Sequence, residues 1–320
     1  MSIKNLTPRL AEVGKIKIGG LGEERTAKNG NKYRLPVRYN HFVVTTTERD
    51  ATGNLIPDKD IMKQLGKDPT EIPIKLLFDS IDMNFYTSYQ YYHGKKCLCK
   101  GDGEKAQRWV TKDKKEPELT EIECNPDKCE YAVSGKCKVS GILSCLLTHF
   151  PTFGGCYRYR THGWNAVNNI LAALEFFKSN TNGVLQGLPL KLVMLKKATA
   201  EHGNINTVSL VLDNIEIAKM RQLALQEYKN RKALGVNMVD YETKVKALDF
   251  HKDTDPEDIV QEEFYPEIED AEYTEPEKGV SADDLKKDLE KKSETEKKPE
   301  QEKKTEPEKK DEKKKAEDLF

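Results

Sequence analysis

The 320-residue sequence has no apolar run approaching the ~18 residues that a membrane span requires. Its opening residues, MSIKNLTPRLAEVGK, lack the unbroken apolar core of a secretory signal. A cytoplasmic protein with no membrane partner is therefore expected. Apolar residues make up only 37% of the chain, which is low for a sequence folded throughout. A disordered segment is expected with it. Catalytic signatures are missing too: there is no H-E-x-x-H and no G-x-S-x-G, and CKGDG is not followed by G-K-[ST]. His149 and His162 each read more simply as structural histidines, and no convincing acid/base pair emerges, so no enzyme and no catalytic residues are expected.

What the sequence does have is cysteine in one place. Seven cysteines are an odd number, and a reducing compartment disfavours disulfides. Cys124, Cys129 and Cys137 follow a C-x4-C-x7-C spacing in the loop-like stretch ECNPDKCEYAVSGKCKVSG, and CLCKGDG places Cys97 and Cys99 upstream. Zinc takes four tetrahedral sulfur or nitrogen ligands, and a filled thiolate shell leaves no open position for water. The expected ligands of a structural zinc are Cys99, Cys124, Cys129 and Cys137, with Cys97 as the alternate for Cys99. An iron–sulfur cluster is the rival centre, since it also uses four thiolates. Cys145 reads as a small core residue, and Cys156 receives no role.

Charge is distributed unevenly. Residues 251–320 hold 15 Lys against 26 acids, whereas the first 250 residues hold 38 Lys plus Arg against 28 acids. A basic body with an acidic tail points to nucleic acid, here DNA, as a partner. The candidate contacts are Arg25, Lys28, Lys32, Arg34 and Arg38 around an Asn-Gly turn, and Lys219 and Arg221 farther on. Tyr89, Tyr91 and Tyr92 in MNFYTSYQYYHG could stack on bases, although rings in a strand more often pack a core. The terminal AEDLF, with Asp318, Leu319 and Phe320, resembles the partner-docking tips of single-stranded DNA-binding proteins, through which replication or recombination proteins would be engaged.

The expected fold class is α+β: an antiparallel, partly barrel-like sheet, a zinc-binding loop insertion and two main helices. KIKIGG, HFVVTTTE, IPIKLLFD, GILSCLLTHF, CYRYRT, LPLKLVMLKK and TVSLVLDN read as strands. Residues 23–40 form either a basic hairpin or a loop. In WNAVNNILAALEFFK, the residues Val167, Ile170, Leu171, Leu174 and Phe177 fall on one helical face. Asp213 and Glu216 stand at capping-box spacing before a second helix that Gly235 would end. The helices are placed at about 164–179 and 215–233. Three regions follow: a flexible leader at 1–13, a folded domain at 14–250 with its zinc loop at about 97–140, and a disordered Lys/Glu-rich tail at 251–320.

Several of these segments, in this order, resemble the phage and prophage proteins grouped as recombination directionality factor-like. The matching residues are HFVVTTTERDATGN, IPIKLLFD with its aromatics, CKGDGEKAQR, the C-x4-C-x7-C loop, and THGWNAVNNILAAL followed by GLPLKLVML. The resemblance implies an accessory protein in the cytoplasm of a bacterial host that binds a large serine integrase on DNA, with the four cysteines as its metal ligands. The charged tail and its AEDLF end depart from the family's pattern. A single-stranded DNA-binding protein and a metal-dependent hydrolase are the alternative readings, the latter needing an open metal position.

Overall fold

A computed structural model describes residues 10–243, except 27–31, 52, 94–95, 111–116, 151–153, 200–202, 238 and 241. The acidic tail, its Asp318–Leu319–Phe320 tip, Lys28 and the Asn-Gly turn lie outside the described residues. The first strand begins at Ala11, within the stretch 1–13 expected as a leader.

Alternation builds the first element. In β1 (Ala11–Thr26), Ile16 turns into the core while its lysine neighbours point the other way. It pairs with β2 (Lys32–Arg49), whose Phe42 and Val44 are fully buried, so residues 23–26 and 32–40 lie on the two strands of a long hairpin. Next come β3 (Leu55–Pro57), α1 (Lys59–Leu65), β4 (Glu71–Lys75), α2 (Ile81–Asn84) and β5 (Phe85–His93). Then follow β6 (Lys96–Gly101), β7 (Lys105–Val110), β8 (Glu118–Glu123), α3 (Glu130–Val133), β9 (Cys137–Leu147) and β10 (Gly155–Thr161). The last elements are α4 (Trp164–Asn180), β11 (Leu190–Thr199), β12 (Gly203–Leu212) and α5 (Ile217–Ala233).

The sheet is open rather than barrel-like. Its row runs β3-β2-β1-β10-β9-β5-β6-β7-β8, and the two ends do not meet. Closure is diverted at β9. Its first residues pair with β5 and β10, whereas Leu146 and Leu147 pair with β4, which carries the ladder on to β11 and β12. Nor is the sheet wholly antiparallel: β1 and β10 run parallel, with Lys15 opposite Arg158 and Ile16 opposite Tyr159. Five helices are present among the described residues where two main ones are expected, and the three extra are short.

One core sits under α4. Val167, Ile170, Leu174 and Phe177 are buried on it, and Leu171 packs at its edge, as the 3.6-residue period requires. They meet Phe85, Leu143, Val208 and Leu210 from the sheet. The second helix begins without the expected capping box. Glu216 is its N-cap residue and makes no side-chain cap bond. Asp213 instead holds Lys191 at 3.1 Å. Gly235 does end the helix, at φ 69°, a left-handed conformation that glycine adopts without a Cβ penalty. Farther in, Arg231 ties α5 to the segment after β4 through Asp79 at 2.6 Å.

Candidate functional site

A row of residues crosses four neighbouring strands on one face: Cys137 of β9 opposes Tyr91 of β5, Tyr91 opposes Cys99 of β6, and Cys99 opposes Arg108 of β7. Sheet register alone thus sets two cysteines on either side of one tyrosine. Cys124 and Cys129 arrive from the loop after β8. Cys124 can press against β6 because position 101 is glycine, where an added Cβ would fall 2.6 Å from its sulfur. Cys99, Cys124, Cys129 and Cys137 all line one small cavity of about 20 Å³. Cys97 does not. The register slips by one residue between Tyr91 and Tyr92, so Cys97 opposes Tyr92 and shares that residue's face of the sheet. Its thiol is bonded to the Cys99 carbonyl at 3.5 Å.

Two residues that the sequence pattern does not disclose complete this pocket. Arg108 donates through Nη2 to Cys129 Sγ at 3.3 Å, and its guanidinium lies 4.7 Å from the centre of the Tyr131 ring. Tyr131 stacks on Tyr91 with centroids 4.3 Å apart. Burial works against the Arg108 charge, yet hydrogen bonds to Cys99 and Cys129 outweigh it and raise its pKa. Burial also acts against ionisation of Cys129, but the Ala132 amide and Arg108 prevail and lower its pKa. Cys137 is pushed up to about 11, by burial first and then by the neighbouring Cys99, Cys129 and Cys124. The donor set suits a soft divalent metal and the guanidinium would balance thiolate charge. As the side chains stand, however, no group of three or more His, Cys, Asp or Glu among the described residues is close enough to hold an ion.

The basic and aromatic candidates scatter. Arg25 is exposed on the long hairpin, and Lys32 and Arg34 lie on its returning strand. Arg38 reaches over to the Asn206 carbonyl of β12 and lines a second, larger cleft. Tyr91 is buried in the cysteine pocket, so its ring packs rather than presenting a free face. Tyr89 lies against Trp164 with centroids 5.9 Å apart, and Tyr92 is half-buried on the opposite face of β5. Lys219 and Arg221 are exposed on α5, where Arg221 bonds Asn180 at 2.6 Å. Cys145 and Cys156 are buried away from the pocket, and burial pushes the pKa of both upward. No helix among the described residues is long and apolar enough to cross a membrane.

Residues 13–218 match the family model described as Gp3-like: recombination directionality factor-like. That span contains the cysteine pocket and both arms of the sheet. No curated protein and no solved structure matches the chain.

Proposed function

The chain belongs to the Gp3-like, recombination directionality factor-like family, and on that premise we propose that it is a non-enzymatic accessory factor of phage site-specific recombination. It acts in the cytoplasm of a bacterial host by binding a large serine integrase assembled on DNA. The observation that carries this reading is the length of the match, which takes in nearly every strand of the fold. The mechanism needs no chemistry of its own. A factor that binds one integrase arrangement more tightly than another shifts the population by the difference, and ~1.4 kcal/mol is tenfold.

A structural zinc at Cys99, Cys124, Cys129 and Cys137 belongs to the same reading. What supports it is the gathering of four thiols from three separated segments around one cavity, beside a guanidinium already bonded to one of them. When bound, such a metal replaces core packing with covalent-strength links between loops. The protein's own part is the strand register that sets Cys99 and Cys137, the glycine that admits Cys124, and Arg108, which offsets thiolate charge from outside the ligand set. Four thiolates would fill a tetrahedral shell, so this metal would hold structure rather than activate water.

The test is reconstitution with a large serine integrase and both pairs of attachment sites. Adding this chain should raise recombination between the hybrid sites by at least about tenfold and suppress the integrative reaction, with a supershift of the integrase–DNA complex. Unchanged direction with no supershift would sink the proposal.

A further inference from the structure

Helix α5 carries Lys219, Arg221, Lys229, Arg231 and Lys232 against a single carboxylate, Glu227. Its buried side is narrow. Met220, Ala224 and Arg231 turn inward, and there Arg231 holds Glu227 at 2.9 Å and Asp79 at 2.6 Å. That pairing draws the helix's one acid toward the core. Beside this inner side, Ile217, Arg221, Leu225, Tyr228 and Lys232 recur at intervals of four, four, three and four residues, so they form one stripe. All five are exposed, and no exposed side chain between Ile217 and Ala233 is acidic. Arg221 donates to Asn180 of α4 at 2.6 Å, and Asn180 in turn bonds the carbonyl of the exposed Phe176 at 2.8 Å. Large apolar groups and cations are thus interleaved on one surface, the kind of patch that marks an interaction site.

The chain itself supplies matching chemistry close by. Glu242 accepts from the Asp79 and Ser80 amides at 2.6 and 3.1 Å, and Arg231 pairs with the same Asp79. The described chain therefore ends beside the last turns of α5. Downstream, outside the described residues, DPEDIVQEEFYPEI at 255–268 holds six acids and no Lys or Arg. Ile259, Val260, Phe264, Tyr265 and Ile268 are set among those acids. Of the 15 lysines after residue 250, 14 follow Glu277, so this segment is free of the cations that dilute the rest of the tail. The connection from 243 to 255 can extend to ~40 Å. The 17 residues of α5 span only about 25 Å. Reach is no obstacle.

We propose that the exposed face of α5 is a docking surface for this chain's own residues 255–268, whose acids meet the α5 cations while their apolar side chains cover Leu225 and Tyr228. The interleaving on the helix calls for a ligand that is both acidic and apolar, and this segment is both. Nucleic acid would use the cations but leave Ile217 and Leu225 uncovered. The α5 face of a second copy would set cations against cations. Exposed ion pairs are individually weak, but a short tether holds the segment at an effective concentration in the millimolar range, so a modest contact is well populated. Docking takes Arg221 and Lys232 out of reach of other anions. The proposal does not rest on the integrase reading.

The experiment is photo-crosslinking of the full chain, without integrase or DNA, with the photoreactive residue introduced as Tyr265→benzoylphenylalanine. Adducts are expected on the peptides of α5, in a yield that falls as salt rises. Lys229→Glu with Lys232→Glu should lower that yield by at least about tenfold, and adding Glu262→Lys with Glu263→Lys should restore it. Leu225→Ser with Tyr228→Ser leaves every charge in place and should also lower the yield by about tenfold. All four α5 positions are exposed, so these variants should melt as the parent does. A mixture of isotopically heavy and light chains identifies the source of the segment, and adducts within one chain are expected. Adducts joining heavy to light chains would assign the face to a second copy and overturn the proposal. Absent adducts, adducts confined to other elements, or equal yields in all variants would overturn it too. So would an α5 face that forms no adduct and is instead protected from hydrogen exchange by added oligothymidylate, which would assign it to nucleic acid. Each of these can occur while the integrase assay succeeds, so the two readings fail separately.

Discussion

Cys97 and Cys99 are two residues apart and would share a face in a regular strand, but the slip opposite Tyr91 and Tyr92 sends them to different faces. This separates their expected behaviour. Cys97→Ser should leave zinc content and melting temperature unchanged, whereas Cys137→Ser and Cys129→Ser should abolish stoichiometric zinc and lower the melting temperature, read by elemental analysis and calorimetry. Iron in place of zinc would assign a cluster instead, and equal metal content in all three variants would remove the site. Arg108 bears on the same pocket without being a ligand. Arg108→Gln should weaken metal retention by about 10–100-fold in chelator competition, the range typical of partners that support ligands from outside the shell. Residue type and spacing mark the cysteines, because thiols have few reasons to gather in a reducing compartment. Arg108 and Tyr131 are not legible in this way: their membership depends on a row across four strands, which no linear spacing expresses.

The elements that can be read along the chain are those whose signal is local. Helix α4 is marked by its period, and its buried face matches the expected one, with Leu174 fully buried and Leu171 at the margin. Leu174→Ala should therefore cost about 2–5 kcal/mol in chemical denaturation, and Leu171→Ala clearly less. Equal losses would mean that the helix is rotated from the orientation described. Helix α5 lies where its pattern places it but starts without its capping box, because Asp213 has a competing partner in Lys191, itself also paired with Glu71 at 3.1 Å. Its far end is held by a charge cluster drawn from segments that no local pattern connects. Asp79 accepts from the Leu185 and Gln186 amides at 2.9 Å each and pairs with the largely buried Arg231. Asp79→Ala leaves that guanidinium with Glu227 as its remaining carboxylate partner in this cluster. The loss should be about 3 kcal/mol or more, since removing one partner of a buried ion pair exposes the desolvation cost of the other. A loss below ~1 kcal/mol would show the pair to be solvent-screened.

At the scale of the whole molecule, topology is the least legible feature. A parallel β1–β10 pair and the departure of β9 toward β4 both join segments far apart in sequence, and strand propensity carries no information about which strands meet. Charge balance, by contrast, is a sum over residues and needs no fold. The tail from His251 carries 11 more acids than lysines, and the body carries a nearly matching excess of cations. A covalently attached polyanion competes with nucleic-acid phosphate for the cations of the body at an effective concentration set by its tether. Deletion from His251 should therefore tighten oligothymidylate binding at low salt, by about tenfold at 50 mM. The advantage should shrink as salt rises, because screening weakens the tail's attraction as well as the ligand's. Identical affinities for the full and shortened chains across the salt series would show that the tail does not compete with the nucleic acid. A tail that instead strengthens binding would place its 15 lysines, not its acids, on the nucleic acid.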